Sequence, residues 1–595
     1  MTRERLWPAL LLGWLLAAVV LCVALAPTIV HLRFPDPDDA MRLLEVRDWI
    51  AGQSWWDVGQ HRLNGGLFPM HWSRLVDLPL AAVLLVFDPL VGTSLSTRIA
   101  MTLVPMLTLL AVMASAACMS RRLGGTETAR LSILLAPLSI PLVYQIRPLR
   151  IDHHGWQIAL ATAAVALLIG PPTVRHGLAT GLSLAMLVTI SMEGLPIAAA
   201  IAAVAALGWA FEPRRRGFVV ALIGCFFLGA LALHVGTRGP AMFASSCDAM
   251  SPGWLALLGV AAGGITAVTV IAPANRLFRI ALLGAAGVAC LTTLRLVAPA
   301  CLEGPFARLE PLVRAIWYDS VREGLPIWEQ SAGWAAVTIA LPLVGLFGSA
   351  RALRGGDSQT RTRWLMLIGV LAPATILACL VNRAGGTANA LALPGAASLL
   401  LAMLTRARAV RSVLPRIAAT AGALLVASPG LAAGAVSSML ARPAVVSVSM
   451  IAGRTRPACE TFEQIRDLRR LSPATVFLPL DVTPDLIATT PHQAIAGGYH
   501  RNSAAMHRVL AAFTGSPDTA EGLVRATRAT YVAGCPGLNE TELYKEVAPD
   551  GLWARLERGE RIAWLEPVAM PGSPVLVWRV IGSSRRPLSR KASRH

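Results

Sequence analysis

Long apolar runs separated by short polar interruptions fill residues 7 to about 440, and each run is long enough to wind into a membrane-crossing helix. A hydrocarbon core of about 30 Å calls for roughly 17 to 25 apolar residues in a helix. Inside that core only helices and closed barrels satisfy their own backbone groups. The pattern predicts about thirteen spans, near 7–30, 96–118, 130–146, 157–171, 177–192, 196–211, 217–235, 253–272, 278–297, 333–349, 364–381, 388–404 and 416–440. One more run, Leu78 to Phe87, is only about ten residues long and follows His71-Trp72-Ser73-Arg74, so it reads as an interfacial or re-entrant helix. Ala24-Leu25-Ala26 resembles a cleavage site, which makes a signal peptide the alternative for the first run. Either reading leaves the segment after it outside.

The pattern changes after about residue 440. Strand-like runs at Val476–Leu480, Ala529–Ala533 and Val575–Val580 alternate with helical ones at Ala504–Phe513 and Glu540–Glu557, which predicts a small α/β domain over 441–595. Its end, from Arg585 to His595, reads as a basic tail. The fold class expected is therefore an all-α polytopic membrane domain over 1–440 followed by a small α/β extracytoplasmic domain.

Composition agrees: 55% of the residues are hydrophobic and 15% charged, with a mean hydropathy of +0.59, against roughly 25% charged in a soluble domain. The formal charge of +19 would suit nucleic acid were the arginines in one patch, but they punctuate the apolar runs. Arg3 and Arg5, Arg121-Arg122, Arg214–Arg216, Arg276 and Arg279, Arg351–Arg363 and Arg406–Arg416 all fall on one side of the membrane if the spans are thirteen. By the positive-inside rule the amino terminus is cytoplasmic and the last domain periplasmic, in a bacterial inner membrane. Cys247, Cys301, Cys459 and Cys535 then lie outside, where an oxidising compartment permits pairing. Cys459 with Cys535 is the first expectation, and no cysteine or histidine spacing resembles a zinc site.

Polar chemistry collects in the outer segments. Asp36-Pro37-Asp38-Asp39 follows the first run and opens an amphipathic helical pattern. An N-cap, a first-turn proline and two acids at the positive end of a helix dipole account for part of it. The same acids suit general-base work at the mouth of a bilayer groove. Further along that loop, Asp57, His61, Arg62, Trp72 and Arg74 are candidates for contact with a sugar and its phosphate. Arg147-Pro148-Leu149-Arg150-Ile151-Asp152-His153-His154 stands at the mouth of a span, where ionisable residues are functional candidates. A carboxylate beside two imidazoles can cap the next helix, bind a divalent ion or move a proton. Glu193 interrupts two apolar runs. Glu323 and Glu329 lie in the long outer loop before the tenth span, Arg383 stands at the outer end of the eleventh, and Tyr499-His500-Arg501 forms a polar, glycine-bracketed segment in the last domain.

Taken in order, these residues resemble the catalytic-subunit family of oligosaccharyltransferases and, more broadly, the GT-C class of membrane glycosyltransferases. That resemblance implies transfer of a sugar or oligosaccharide from a polyprenyl-phosphate or polyprenyl-diphosphate carrier to an extracytoplasmic lipid, polysaccharide or protein. Asp36, Asp38 and Asp39 stand in place of its first acidic motif, and Asp152-His153-His154 in place of its second. In the metal-dependent branch these share an ion, so Asp38, Asp152, His153 and His154 are the implied ligands, with Mg²⁺ or Mn²⁺ the implied metal. Glu329 loosely matches the family's loop glutamate, and Arg383 the arginine that meets the carrier phosphate. The family's acceptor-reading Trp-Trp-Asp is absent from 441–595; the tripeptide occurs only at Trp55-Trp56-Asp57. A transporter or flippase, and a non-catalytic envelope-polysaccharide assembly protein, are the rival readings.

Overall fold

The structure is a computed structural model that describes residues 6–66, 68–271, 273–304, 306–307, 309–440 and 461–582. Two compact units make it up: Met1–Val58 with His71–Arg308 and Val321–Met450, and Gly59–Met70 with Leu309–Ser320 and Ile451–His595.

The larger unit is helical. The first apolar run forms α1 (Trp7–Ala24) and α2 (Ala26–His31), and the acidic segment opens α3 (Pro37–Ile50). The run expected to be a short interfacial helix is longer, α4 (Arg74–Val91), because Ser73 caps it by accepting from the Leu75 N–H and two internal prolines leave it helical. The chain then continues as α5 (Thr93–Leu135), α6 (Ile140–Tyr144), α7 (His154–Leu168), α8 (Val174–Ile190), α9 (Leu195–Phe211), α10 (Arg216–Arg238), α11 (Pro252–Ile271) and α12 (Arg276–Val297). After α13 (Pro311–Ile316), which belongs to the smaller unit, come α14 (Ala332–Ala352), α15 (Ser358–Leu380), α16 (Gly385–Arg408), α17 (Val413–Ala427) and α18 (Pro429–Leu440). Helix α5 is two helices joined at Gly125, whose φ of 85° and ψ of −174° suit a residue without a Cβ; the break separates the second and third expected spans.

Among the described residues nine helices are long and apolar enough to cross a membrane by length and composition, and α7, α8 and α17 are shorter apolar helices. Small residues let the helix backbones meet. A methyl group at Gly395 of α16 would overlap the Gly345 carbonyl of α14, and one at Gly177 or Gly181 of α8 would overlap the Phe218 or Leu222 carbonyl of α10. The core so formed runs from Leu109 and Val112 through Val165, Leu187 and Ile201 to Leu367 and Leu391, all fully enclosed. By contrast Leu277, Val288, Leu291 and Leu296 of α12 are exposed, as a lipid-facing helix requires. Cys247 and Cys301 form a disulfide that ties the segment before α11 to the segment after α12.

The smaller unit is a mixed five-stranded sheet in the order β2-β1-β3-β5-β4, with β1 (Thr475–Phe477), β2 (Gln493–Ala494), β3 (Tyr531–Gly534), β4 (Leu565–Val568) and β5 (Leu576–Val580). The first three strands are parallel and linked through helices; β5 runs antiparallel to β3 and β4. Phe477, Phe513, Tyr544 and Trp553 stack in its core. The predicted helix over 540–557 is two, Asn539–Val547 and Leu552–Glu557, interrupted by Pro549-Asp550-Gly551. Cys459, the expected partner of Cys535, and the basic tail from Arg585 lie outside the described residues.

Candidate active site

The site grows from two helix starts. At α3, Asp36 is the N-cap: its Oδ1 accepts from the Asp38 N–H at 3.0 Å and Pro37 takes the first helical position. One turn later the helix is bolted to α4 by a buried ion network. Arg42 meets Asp77 at 2.8 Å, Arg74 meets the same carboxylate at 3.2 Å, and the Arg42 guanidinium lies 4.4 Å over the Trp72 ring. Glu45 Oε1 has no partner and its other oxygen stands 3.7 Å from Arg42. Burial, only partly offset by Arg42, raises this carboxyl to about 8, so it is neutral at pH 7.

The second start is α7. Asp152 Oδ1 accepts from the His154 N–H at 2.9 Å. Just before it the backbone is forced: Leu149, fully buried, has φ +71°, a left-handed conformation uncommon for a branched side chain. Its N–H donates to the Met101 carbonyl at 2.8 Å. The Ile151 and Asp152 N–H groups both donate to Asp39 Oδ1, at 2.7 and 3.1 Å. The two acidic segments are thus clamped together through Asp39.

Arg150 fills the space between them. Its Nη1 lies 2.8 Å from Asp36 and 3.5 Å from Asp39, its Nη2 2.9 Å from Asp152 and 3.4 Å from Glu323, and its Nε donates to Gln145 at 3.4 Å. From there a ring of alternating acids and bases closes on itself. Asp152 Oδ2 accepts from His154 Nδ1 at 2.8 Å, and His154 Nε2 is 3.8 Å from Glu193. Glu193 lies 3.0 Å from Arg383, and Arg383 lies 3.5 Å from Glu323, which returns to Arg150.

Asp38 is the exception among the three acids of α3. No donor among the described residues hydrogen-bonds its carboxylate. Burial and the neighbouring Asp36, Asp152 and Glu323 hold its pKa well above the usual carboxylate range, and Arg150 offsets this only in part. Asp39 is raised chiefly by burial. Asp152 behaves oppositely: burial would raise it, but Arg150 and His154 outweigh that and hold it well below the ordinary value. Burial, reinforced by His154, pushes His153 down to about 3, leaving a neutral imidazole stacked 4.2 Å from His154. Carboxyls pushed apart in this way can take different parts in proton transfer, with Asp152 the fixed anion.

Of the carboxylates gathered here, only Asp38 leaves its oxygens open to a divalent ion; Asp36, Asp39, Asp152 and Glu323 do not. Each oxygen of Asp36, Asp39, Asp152 and Glu323 already faces a nitrogen donor of the protein. Among the described residues the donors that converge are His153, His154 and Glu193, with ligand atoms within 4.8 Å of one another and His154 Nε2 free of any hydrogen bond. Two nitrogens in three is not the all-oxygen set that Mg²⁺ or Mn²⁺ favours.

Other expectations are placed differently. Trp72 and Arg74 are both buried, and Arg74 spends its donors on Asp77 and on the carbonyls of Trp55, Glu45 and Asp57. Glu329 is exposed in a short turn just before α14, whereas Glu323 of the same loop lies beside Arg150 and Arg383. Asp57 offers its carbonyl to Arg74 and Gln53. His61, Arg62, Tyr499, His500 and Arg501 belong to the smaller unit. There Arg62 donates to the Thr490 carbonyl at 3.0 Å, Tyr499 packs 5.7 Å from Phe68, and His500–Asn502 is a turn whose Asn502 caps the next helix. Arg150 is the residue that sequence reasoning passed over. Its signal was a basic side chain two residues before Asp152, readable equally as a headgroup contact.

Solved structures show what arrangement of helices this is. With the archaeal oligosaccharyltransferase AglB from Archaeoglobus fulgidus, in complex with an inhibitory peptide and a dolichol-phosphate, the chain shares 13% identity over 98% of its length and 75% of the other's, with a TM-score of 0.65. In fold, the chain is similar to an oligosaccharyltransferase. The A. fulgidus oligosaccharyltransferase tethered to an acceptor peptide containing the NVT sequon matches over 93% of this chain and 72% of that one, at 13% identity and a TM-score of 0.65. The same enzyme in complex with Zn and sulfate matches at 0.57, with 13% identity over 96% and 74% of the two chains. No family model and no curated protein matches the sequence. The likeness is one of fold, and the ring of charged residues belongs to this chain.

Proposed function

We propose that this protein is a membrane glycosyltransferase that moves a sugar or oligosaccharide from a polyprenyl-phosphate or polyprenyl-diphosphate carrier to an extracytoplasmic acceptor. The observation that carries the reading is that Asp38, whose carboxylate has no hydrogen-bonding partner among the described residues, opens the same helix as the acids that hold Arg150, in a ring that also holds Arg383, at the polar ends of apolar helices in this fold. Neighbours of the same fold were solved with a dolichol-phosphate and with an acceptor peptide, which supports a lipid-linked donor.

Glycosyl transfer needs a base for the acceptor and a stabilised leaving group. An acceptor hydroxyl or amide attacks the anomeric carbon of the donor and its proton passes to Asp38. The bond from that carbon to the phosphate oxygen breaks, and its electron pair leaves with the phosphate. Arg383 meets that phosphate: its Nε has no partner, and its guanidinium, held between Glu193 and Glu323, supplies the positive charge that a leaving phosphate needs. Asp36 and Asp39 hold Arg150 and the loop before α7. His61, Arg62, Tyr499, His500 and Arg501 are the proposed acceptor-side residues.

The finer topology belongs to the same reading: thirteen spans, a cytoplasmic amino terminus and a periplasmic α/β domain in a bacterial inner membrane. The Cys247–Cys301 disulfide supports an oxidising outer side for the loops flanking α11 and α12. The test is to incubate purified protein with a panel of polyprenyl-phosphate sugars and measure free polyprenyl phosphate or diphosphate. Release by the wild type that falls by about 10²- to 10⁴-fold in Asp38→Asn is expected. Release unchanged in Asp38→Asn removes Asp38 as base, and no release from any donor by folded protein returns the transporter reading.

A further inference from the structure

Arg150 is heavily engaged. Its three guanidinium nitrogens meet Gln145 and four carboxylates drawn from three separate segments, α3, the start of α7 and the loop before α14. Only 4% of it is exposed, and a guanidinium keeps its charge at every accessible pH. Those carboxylates come together as they would around a divalent cation, hard oxygens from distant segments converging on one point. Here the point is a fixed cation that is already part of the chain.

The backbone is built to deliver it. Leu149 accepts a left-handed conformation with φ +71°, held by its N–H on the Met101 carbonyl and by full burial of its side chain. On the other side, the N–H groups of Ile151 and Asp152 are anchored on Asp39. With both neighbours pinned, Arg150 has nowhere to go but among the acids, and withdrawing it to admit an ion means leaving a buried guanidinium without partners. Local strain of this kind persists only where its surroundings over-determine it.

We propose that Arg150 is a resident cation that takes the place of a divalent metal ion among the carboxylates of this site, so that transfer here proceeds without a bound metal. Arg150 orders Asp36, Asp39 and the α7 start, sets the charge against which Asp38 works, and keeps Glu323 beside Arg383 for the leaving phosphate. The catalytic consequence rests on the glycosyl-transfer reading above; the occupancy of the site does not.

The experiment has two readouts that separate these. Wild-type protein treated with EDTA and desalted is analysed for metal content and titrated with Mn²⁺ by electron paramagnetic resonance, alongside Arg150→Ala. The expected result is no stoichiometric ion in the wild type and a new Mn²⁺ site in Arg150→Ala that is weakened by about 10- to 100-fold when Asp152→Asn is added. The second readout is release of polyprenyl phosphate, which the same EDTA treatment is expected to leave within about twofold of the untreated rate. A tightly held ion in the wild type that is lost on Asp36→Asn or Glu323→Gln overturns the proposal, as does a rate abolished by EDTA and restored by Mn²⁺. If no donor is turned over, the transfer reading fails and the metal analysis alone decides Arg150. If Arg150→Ala does not fold, the wild-type metal content still decides it.

Discussion

Asp36, Asp38 and Asp39 lie within four positions of one another and have three different situations. Asp36 caps a helix and meets Arg150; Asp39 accepts two backbone N–H groups; the Asp38 carboxylate has no hydrogen-bond donor among the described residues. A general base works in its ionised form, so activity falls on the acid side, and the raised pKa of Asp38 puts that limb above the ordinary carboxylate range. Arg150→Gln removes the charge that offsets the rise, and the limb of the pH–rate profile moves to higher pH. Glu45 gives a stability test of the same kind. Its folded pKa of about 8 lies above its ordinary 4.5, so its contribution is whole below the lower value and is lost as pH rises through the higher. Wild-type stability therefore declines across that window, and Glu45→Gln flattens the decline in thermal unfolding measured at a series of pH values. The acids of α3 were legible in sequence as capping and as candidate chemistry. Their division of labour was not, because it depends on Ile151, Asp152 and Arg150, more than a hundred residues away.

At the scale of elements, helix ends carry the chemistry and helix contacts hold the ends in place. Two starts, α3 and α7, face each other because Asp39 spans the gap, and the short turn Asn382–Ala384 between α15 and α16 presents Arg383. That turn is fixed by hydrogen bonds of Asn382 to Thr338 at 2.9 Å and to the Leu325 carbonyl at 3.1 Å. Helix α16 is seated by its close approach to α14 at Gly345, Gly348 and Gly395. Gly395→Leu drives a side chain into the α14 backbone, where overpacking costs about 1–3 kcal/mol or more. Its expected outcome is a lower melting temperature in detergent together with weaker donor binding, through displacement of Arg383. Replacement at Gly422, where a Cβ meets nothing within 4 Å, is the control and leaves both unchanged. Helix existence was readable from apolar length. The Gly125 break, the full length of α4 and the split at Pro549–Gly551 were not, since each is a local backbone choice inside a continuous pattern.

For the whole molecule, membrane burial and covalent pinning act together. The Cys247–Cys301 bridge closes a loop across a sequence separation of 54 that contains α11 and α12, two helices with much exposed apolar surface. Cys301→Ser is expected to lower stability by about 2–4 kcal/mol, read as a drop in melting temperature, while polyprenyl phosphate release stays at the wild-type rate because the bridge touches no member of the charged ring. The sequence by itself determined the class of molecule: apolar length demands a bundle of helices in lipid, and the alternating last segment calls for a small α/β unit. Those are one-dimensional properties, since a helix in hydrocarbon needs only its own residues to satisfy its backbone. Which charges meet was decided by tertiary structure alone. Arg150 reads in sequence like any arginine near a headgroup, and Glu323 no better than Glu329. A buried charge must find partners, and only the packing of helices drawn from the whole length of the unit determines which partners are within reach.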